Sequence, residues 1–292
     1  MQTAGDRANG YRSILDGIRL LDPVRDHQRI VFLSTCYEFP FDTTRALEFA
    51  LFRTFAIPTI GQLLDRTGEF QNRAQKRYDD TDILVSQLME YGYDSDRGRR
   101  ALRRVNQLHS PFAISNSDYL YVLSTFIFEP IRWNAQFGWR PMCEVERLAM
   151  FYFWREVGRR MNIKDLPGDY AEFEHFNMNY EATRLTYSEA SGRVGLATLT
   201  MFLSWFPRHL RPFVRITMYA LMDRQLRDAF GFPHPSQLTT RLVRRALRFR
   251  GFLVSWLPER RQPRMRSVMR RRIYPNGYQI DELGPPREER RQ

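Results

Sequence analysis

Three polar side chains stand where a helical reading of the sequence puts hydrophobic ones. In the stretch KRYDDTDILVSQLMEYGYDSDRGRRALRRVNQLH, residues 76–109, the pattern fits two helices joined around Gly92 and Asp94. On the first, Arg77, Thr81, Leu84 and Leu88 fall at i, i+4, i+7 and i+11, which is one face. On the second, Leu102, Val105 and His109 share a face, and Arg100, Arg103 and Arg104 are left to solvent. Burying a guanidinium without a counter-charge is costly, so Arg77 on a leucine stripe points to a resident carboxylate, such as a cofactor propionate, or to a polar cavity. A haem would supply such anions, and it would need a neutral imidazole as axial ligand and one or two polar groups on the opposite side. Plainer readings stay open: Arg77 snorkels or pairs with Asp80 or another local acid, and His109 is a satisfied core histidine.

Other chemistry lacks its residues. There is no GxGxxG after a strand, no GxxxxGK[ST], no GxSxG and no HExxH. A di-iron carboxylate site needs two Glu-x-x-His pairs and two further glutamates. The chain offers one such pair, Glu172 with His175, and His27, His109, His209 and His234 have no glutamate three residues before them, so a solvated helix face is the plainer reading. Cys36 and Cys143 show no CxxC or zinc-ligand spacing and read as buried thiols.

Helical patterns follow one another along the 292 residues, of which 43% are hydrophobic, enough for a large core. Pro40 and Asp42 open a stripe of Leu47, Ala50, Leu51, Thr54 and Phe55 that Pro58 closes. Asn116, with Ser115 or Ser117, caps a helix bent at Pro130; another spans Cys143 to Met161, and later ones fit 168–190, 193–206, 208–230 and 237–257. The run IVFLSTCYEF has strand propensity but no partner. The expected fold is all-α: a variable segment 1–25, one large multi-helix domain over 26–278, and a loose polar tail 279–292.

The net charge of +12 is almost all in 241–272, which holds twelve arginines and one acid, Glu259, and lysine appears only at 76 and 164. Such an arginine skew is weak evidence for phosphate binding, and no specific nucleic-acid partner is expected. The amino end, MQTAGDRANGYRS, is polar, and the longest apolar run, LATLTMFLSWF, is about half a membrane span, so a cytoplasmic protein without signal peptide or transmembrane span is expected. Leu242, Ala246, Phe249 and Leu253 lie on one side of helix 237–257 amid arginines. That pattern suits peripheral docking on an anionic membrane. The expectation is nevertheless that these side chains close the core and the arginines coat it.

Several stretches together resemble the family of rubber oxygenases and endoplasmic-reticulum-bound oxygenases of the mpaB type. They are EFPFDTTRALEFALFRTFAIPTIGQLLDRTGEF (38–70), KRYDDT (76–81), RRVNQLHSPFAISNSDYLYVLSTFIFEPIRWNAQFGWRP (103–141), ERLAMFYFWREVGRRMNI (146–163) and YPNGYQIDELGP (274–285). The resemblance implies an all-helical fold holding haem b and a chemistry in which O2 cleaves carbon–carbon double bonds of isoprenoid chains to carbonyl ends. It places the axial iron ligand on His109 and the R-x-x-x-T signature of the opposing helix on Arg77 and Thr81, which would orient the oxygen. Latex-clearing members have a lysine immediately before that threonine; here the position is Asp80, so a lysine-capped resting haem is not expected. Asp65 and Glu69 lie in the region of the family's proton-abstracting acid, and neither is assigned that role. The functional expectation is therefore a haem b-dependent oxygenase, a dioxygenase by the resemblance, acting on an apolar isoprenoid or other unsaturated substrate. The alternative is a non-catalytic helical module, with or without haem, that docks to membranes or nucleic acid through 241–272.

Overall fold

Prolines, glycines and short polar side chains set the helix ends. Pro40 and Pro58 open their helices where a missing N–H costs nothing. Ser95, Ser115, Asp169, Ser188, Asp223 and Ser236 each accept a hydrogen bond from the backbone N–H three residues on, which satisfies one orphan donor of the first turn. The computed structural model describes residues 14–285. In chain order the helices are α1 (Ile14–Arg19), α2 (His27–Leu33), a π-helical turn (Ser34–Glu38), α3 (Pro40–Thr54), α4 (Pro58–Thr67), α5 (Glu69–Tyr91), α6 (Asp96–His109), α7 (Asn116–Phe137), α8 (Glu144–Arg160), α9 (Tyr170–Arg184), α10 (Glu189–Ser204), α11 (Arg211–Leu221), α12 (Arg224–Phe230) and α13 (Gln237–Ser255). Short 3-10 turns cover Arg208–Leu210 and Ile280–Glu282.

The described residues hold no strand, and the fold is all-α. IVFLSTCYEF is helix α2 running into the π turn, where Ser34 donates to the buried carboxylate of Glu146 at 2.9 Å. The single helix expected over 208–230 is broken at Met222 and Asp223, because Asp223 caps α12 and accepts from Arg53 at 2.5 Å. No helix among the described residues is long and apolar enough to cross a membrane.

Two apolar clusters meet along α3 and α7. The larger joins α2, α5, α6, α7 and α8 through side chains such as Phe39, Ile83, Leu102, Ile127 and Phe153. The smaller, around Phe52, Leu199, Leu226 and Phe230, lies between α3, α10 and α12. Within the larger cluster, Leu84, Leu88 and Leu102 are buried and Val105 packs partly buried against them. The stripes read from the sequence do face the core.

The turn between α5 and α6 is tight. Gly92 ends α5 at a positive φ of 77°, Ser95 caps α6, and a Cβ on Gly98 would stand 1.9 Å from the Gly92 carbonyl oxygen. Only glycine allows that approach. Gly98→Ala is expected to cost about 3 kcal/mol, seen as a fall in the chemical-denaturation midpoint, because a backbone carbonyl cannot move aside as a side chain could. An unchanged midpoint would show the hairpin to be looser than this geometry.

Two expectations for the basic and terminal segments change. Arg104 is not a solvent residue: it is buried and its guanidinium donates to the Leu283 carbonyl, with Nε at 2.7 Å. Arg100 reaches Asp281 at 2.7 Å, and Ile280 and Leu283 are buried, so 279–285 is fastened to α6; residues 286–292 lie outside the described ones. The stripe on α13 does not close the core. Phe249 is 60% and Leu253 51% exposed, because the helix docks by its opposite side, through Leu247, Gly251 and the pair Arg250–Asp42 at 2.6 Å.

Candidate functional site

Antiparallel helices joined by a short turn bring residues equidistant from it to the same height. Arg77 lies about 21 Å of helix before the end of α5, and His109 about 20 Å after the start of α6, at 1.5 Å per residue. The two side chains therefore belong at one level of the hairpin, with Thr81 a turn nearer the loop. Electrostatics agree: the charge of Arg77 reaches the His109 ring and helps hold it below its ordinary pKa, behind the larger effect of burial.

His109 is half satisfied. Its Nδ1 lies 2.8 Å from the Val105 carbonyl, which can only accept, so Nδ1 carries the proton and Nε2 has its lone pair free. The edge of its ring meets Tyr119, with centroids 5.9 Å apart. The other histidines differ. His27 has both nitrogens engaged, by Val24 and Tyr93; His234 is engaged by Asp228 and Arg227; His175 and His209 are exposed. His109 alone among the five joins an enclosed ring to a free nitrogen.

Arg77 forms no ion pair with a described carboxylate. Its Nη1 donates to Thr81 Oγ1 at 3.2 Å, and that hydroxyl donates in turn to the Arg77 carbonyl at 2.9 Å. Burial holds the guanidinium below its ordinary pKa, and the charges of Asp80 and Glu69 only partly offset this. Both acids are taken elsewhere. Glu69 accepts from Arg73 at 2.6 Å. Asp80, 2% exposed, binds Lys76 at 2.9 Å, the Gly284 N–H at 2.9 Å and the Tyr274 hydroxyl. Pairing with Asp80 is thus not how Arg77 is satisfied. Arg77, Thr81 and His109 all keep some accessible surface, although Arg77 and His109 lie deep among protein atoms.

The one side-chain partner of Arg77 is Thr81 Oγ1, and the charges of Asp80 and Glu69 offset its burial only in part, so its desolvation weighs on the stability of the chain. Arg77→Met is expected to stabilise the ligand-free chain by about 1 kcal/mol, measured by denaturant unfolding, since an apolar isostere carries no desolvation penalty. A loss of comparable size would mean that Arg77 has a structural partner.

The remaining sequence candidates disperse. Glu172 accepts from the Gly168 N–H at 2.8 Å while His175 is exposed, so that pair is a helix-start contact on a solvated face. Among the described residues no three His, Cys, Asp or Glu side chains converge. Asp65 pairs at the surface with Arg193 at 2.6 Å. Cys36 is a buried free thiol pushed up to about 12 by burial, and Cys143 stands at the N-terminus of α8. Tyr119 and the clasp of Asp80 by Tyr274 and Gly284 were not singled out from the sequence; the segment YPNGYQIDELGP supplies the latter partners.

A helical domain in which an enclosed imidazole with a free nitrogen lies within reach of a buried arginine's charge is a candidate ligand site. In comparison with known proteins, residues 46–252 match the family described as "ER-bound oxygenase mpaB/B'/Rubber oxygenase, catalytic domain", and the chain belongs to that family. It is 30% identical over 239 residues to ER-bound oxygenase mpaB' of Penicillium brevicompactum, covering 75% of this chain and 56% of the relative. It is 39% identical over 132 residues to ER-bound oxygenase mpaB of Penicillium roqueforti (strain FM164), covering 43% of this chain and 44% of that one. The chain thus spans about half the length of the curated relatives it matches.

Proposed function

We propose that this protein is a haem b-dependent oxygenase that uses O2 to oxidise a carbon–carbon double bond of an apolar, isoprenoid-like substrate. The single observation that carries the reading is His109, an enclosed imidazole with Nδ1–H held by the Val105 carbonyl and Nε2 free, facing the charge of Arg77. That is the outer hydrogen bond a metal-ligating histidine ordinarily makes. An ion held by protein groups alone needs several converging ligands, whereas a porphyrin iron needs one imidazole. Family membership with proteins named oxygenases supports the same reading.

Haem, when bound, supplies a redox-active iron that activates O2 toward an alkene. The chain's own residues do the rest. His109 would hold the iron through Nε2, and the Val105 carbonyl, which accepts from Nδ1–H, fixes the tautomer and ring orientation. Burial and the neighbouring guanidinium keep this imidazole neutral at neutral pH, so the lone pair is available. Arg77 is free to meet a carboxylate, and its N–H groups together with the Thr81 hydroxyl are free to orient O2, once the hydroxyl turns from the Arg77 carbonyl. Leu84, Leu88 and Leu102 close the core behind them and exclude water. Asp80 is held by Lys76, the Gly284 N–H and the Tyr274 hydroxyl, so its carboxylate is not the direct partner of Arg77. Cleavage balances without a further reductant: each alkene carbon ends double-bonded to one atom of O2.

The test is incubation of the haem-loaded protein with prenyl chains under 18O2. The expected products are paired carbonyl fragments, each with one labelled oxygen, and none form without O2. Loaded protein that consumes no O2 with either prenyl chains or unsaturated fatty acids would contradict the activity.

A further inference from the structure

Helix α13 has two apolar sides, and only one meets the protein. Val243, Leu247, Gly251 and Val254 recur at i, i+4, i+8 and i+11 on the docked side. There Gly251 lies so close to α7 that a Cβ would come within 2.7 Å of the Phe137 and Gly138 carbonyls. The other side carries Leu238, Leu242, Phe249, Leu253 and Trp256, which lie within about 60° of one another around the helix axis at 100° per residue. They are 66, 56, 60, 51 and 77% exposed. Phe252, also exposed, touches Phe249 and Trp256 with ring centroids 6.3 and 5.6 Å apart, so the rings form one outer ridge. Helix α11 packs against α13 and adds exposed Phe213 and Ile216. An apolar surface this continuous on a helix marks an interaction site.

Charge selects the occupant. Arg241, Arg245 and Arg248 run along one flank of the outer stripe, exposed, and none forms an ion pair with a described acid. The helix has no Asp or Glu, and the next acid is Glu259, followed by exposed Arg260 and Arg261. A second copy docking by the same face would bring arginine rows together with no acid to separate them. Nucleic acid would use the arginines and leave the ridge of leucines and aromatic rings in water. An anionic bilayer satisfies both: the rings enter the headgroup boundary, Trp256 at its edge, while the arginine stems reach along the surface to phosphates.

We propose that this face is a membrane-docking surface, with α13 lying in the plane of an anionic lipid leaflet. It is independent of the haem reading, since its evidence is a surface and its readout needs no turnover.

The test is sedimentation of the full chain with vesicles of phosphatidylcholine alone or of phosphatidylcholine mixed with anionic phosphatidylglycerol, whose surface potential attracts basic residues. Binding is expected only to the anionic vesicles and to weaken at high salt. Phe249→Ser with Trp256→Ser is expected to weaken it at least about tenfold, and Arg245→Glu with Arg248→Glu similarly. Because these side chains are exposed, the variants should keep the wild-type circular dichroism and melting curve. Equal binding to both vesicles, no binding to either, or variants that bind as the wild type does would overturn the proposal. So would a light-scattering mass of two chains that falls to one in the Phe249→Ser, Trp256→Ser variant.

Discussion

Replacing His109 with alanine is expected to give a folded protein that has lost haem. The ring's removal deletes a hydrogen bond to Val105 and an edge contact to Tyr119, both at the carboxyl end of α6, where the fold depends more on Leu102 and on the Arg104 clasp to Leu283. The protein should therefore melt within a few degrees of the wild type, as a change of about 1 kcal/mol implies. Haem retention should fall by at least a hundredfold, since no other histidine in the hairpin offers a free nitrogen. Added imidazole, filling the space the side chain left, should restore part of the binding. A variant with unchanged haem content and unchanged spectrum would remove His109 from the site.

Thr81→Ala should separate binding from turnover. Thr81 does not hold the pocket's walls: its hydroxyl bonds only within its own turn of α5, to Arg77. Haem content is expected to stay at the wild-type level while the turnover number falls about a hundredfold, the usual cost of removing one positioned donor near a developing charge. Thr81→Ser keeps the hydroxyl and should recover most of the rate. Retained turnover in the alanine variant would assign Thr81 to helix packing alone.

The hairpin that positions these residues was legible because its signals are local. Gly92 and Asp94 mark the turn, and the leucine period on both helices selects the face that carries Arg77, Thr81 and His109. The partners of the polar residues were not legible. Arg104 finds its acceptor in Leu283 and Asp80 finds Tyr274, each more than 170 residues away, and nothing in the period of α6 separates Arg104 from Arg103, which is exposed. Periodicity also says which residues of α13 share a face without saying which face docks. Gly251 and Arg250 decide that, the first by allowing backbone contact with α7 and the second by reaching Asp42. The same limit hid Met222 and Asp223 as a break, since the pull on Asp223 comes from Arg53 on a distant helix. The family match over 46–252 supports reading the short motifs of that span together, while the roles of Arg77, Thr81 and His109 rest on the resemblance and on the proposal above.

The most direct test of the central claim is the visible absorption spectrum of the purified protein, after incubation with haem and removal of the excess, before and after dithionite, with a haemochrome assay for stoichiometry. A Soret band corresponding to about one haem per chain, shifting on reduction as a histidine-ligated iron does, is the predicted result. A protein that stays colourless after exposure to haem would contradict the cofactor assignment, and the helical body with its exposed α13 face would then be a binding module.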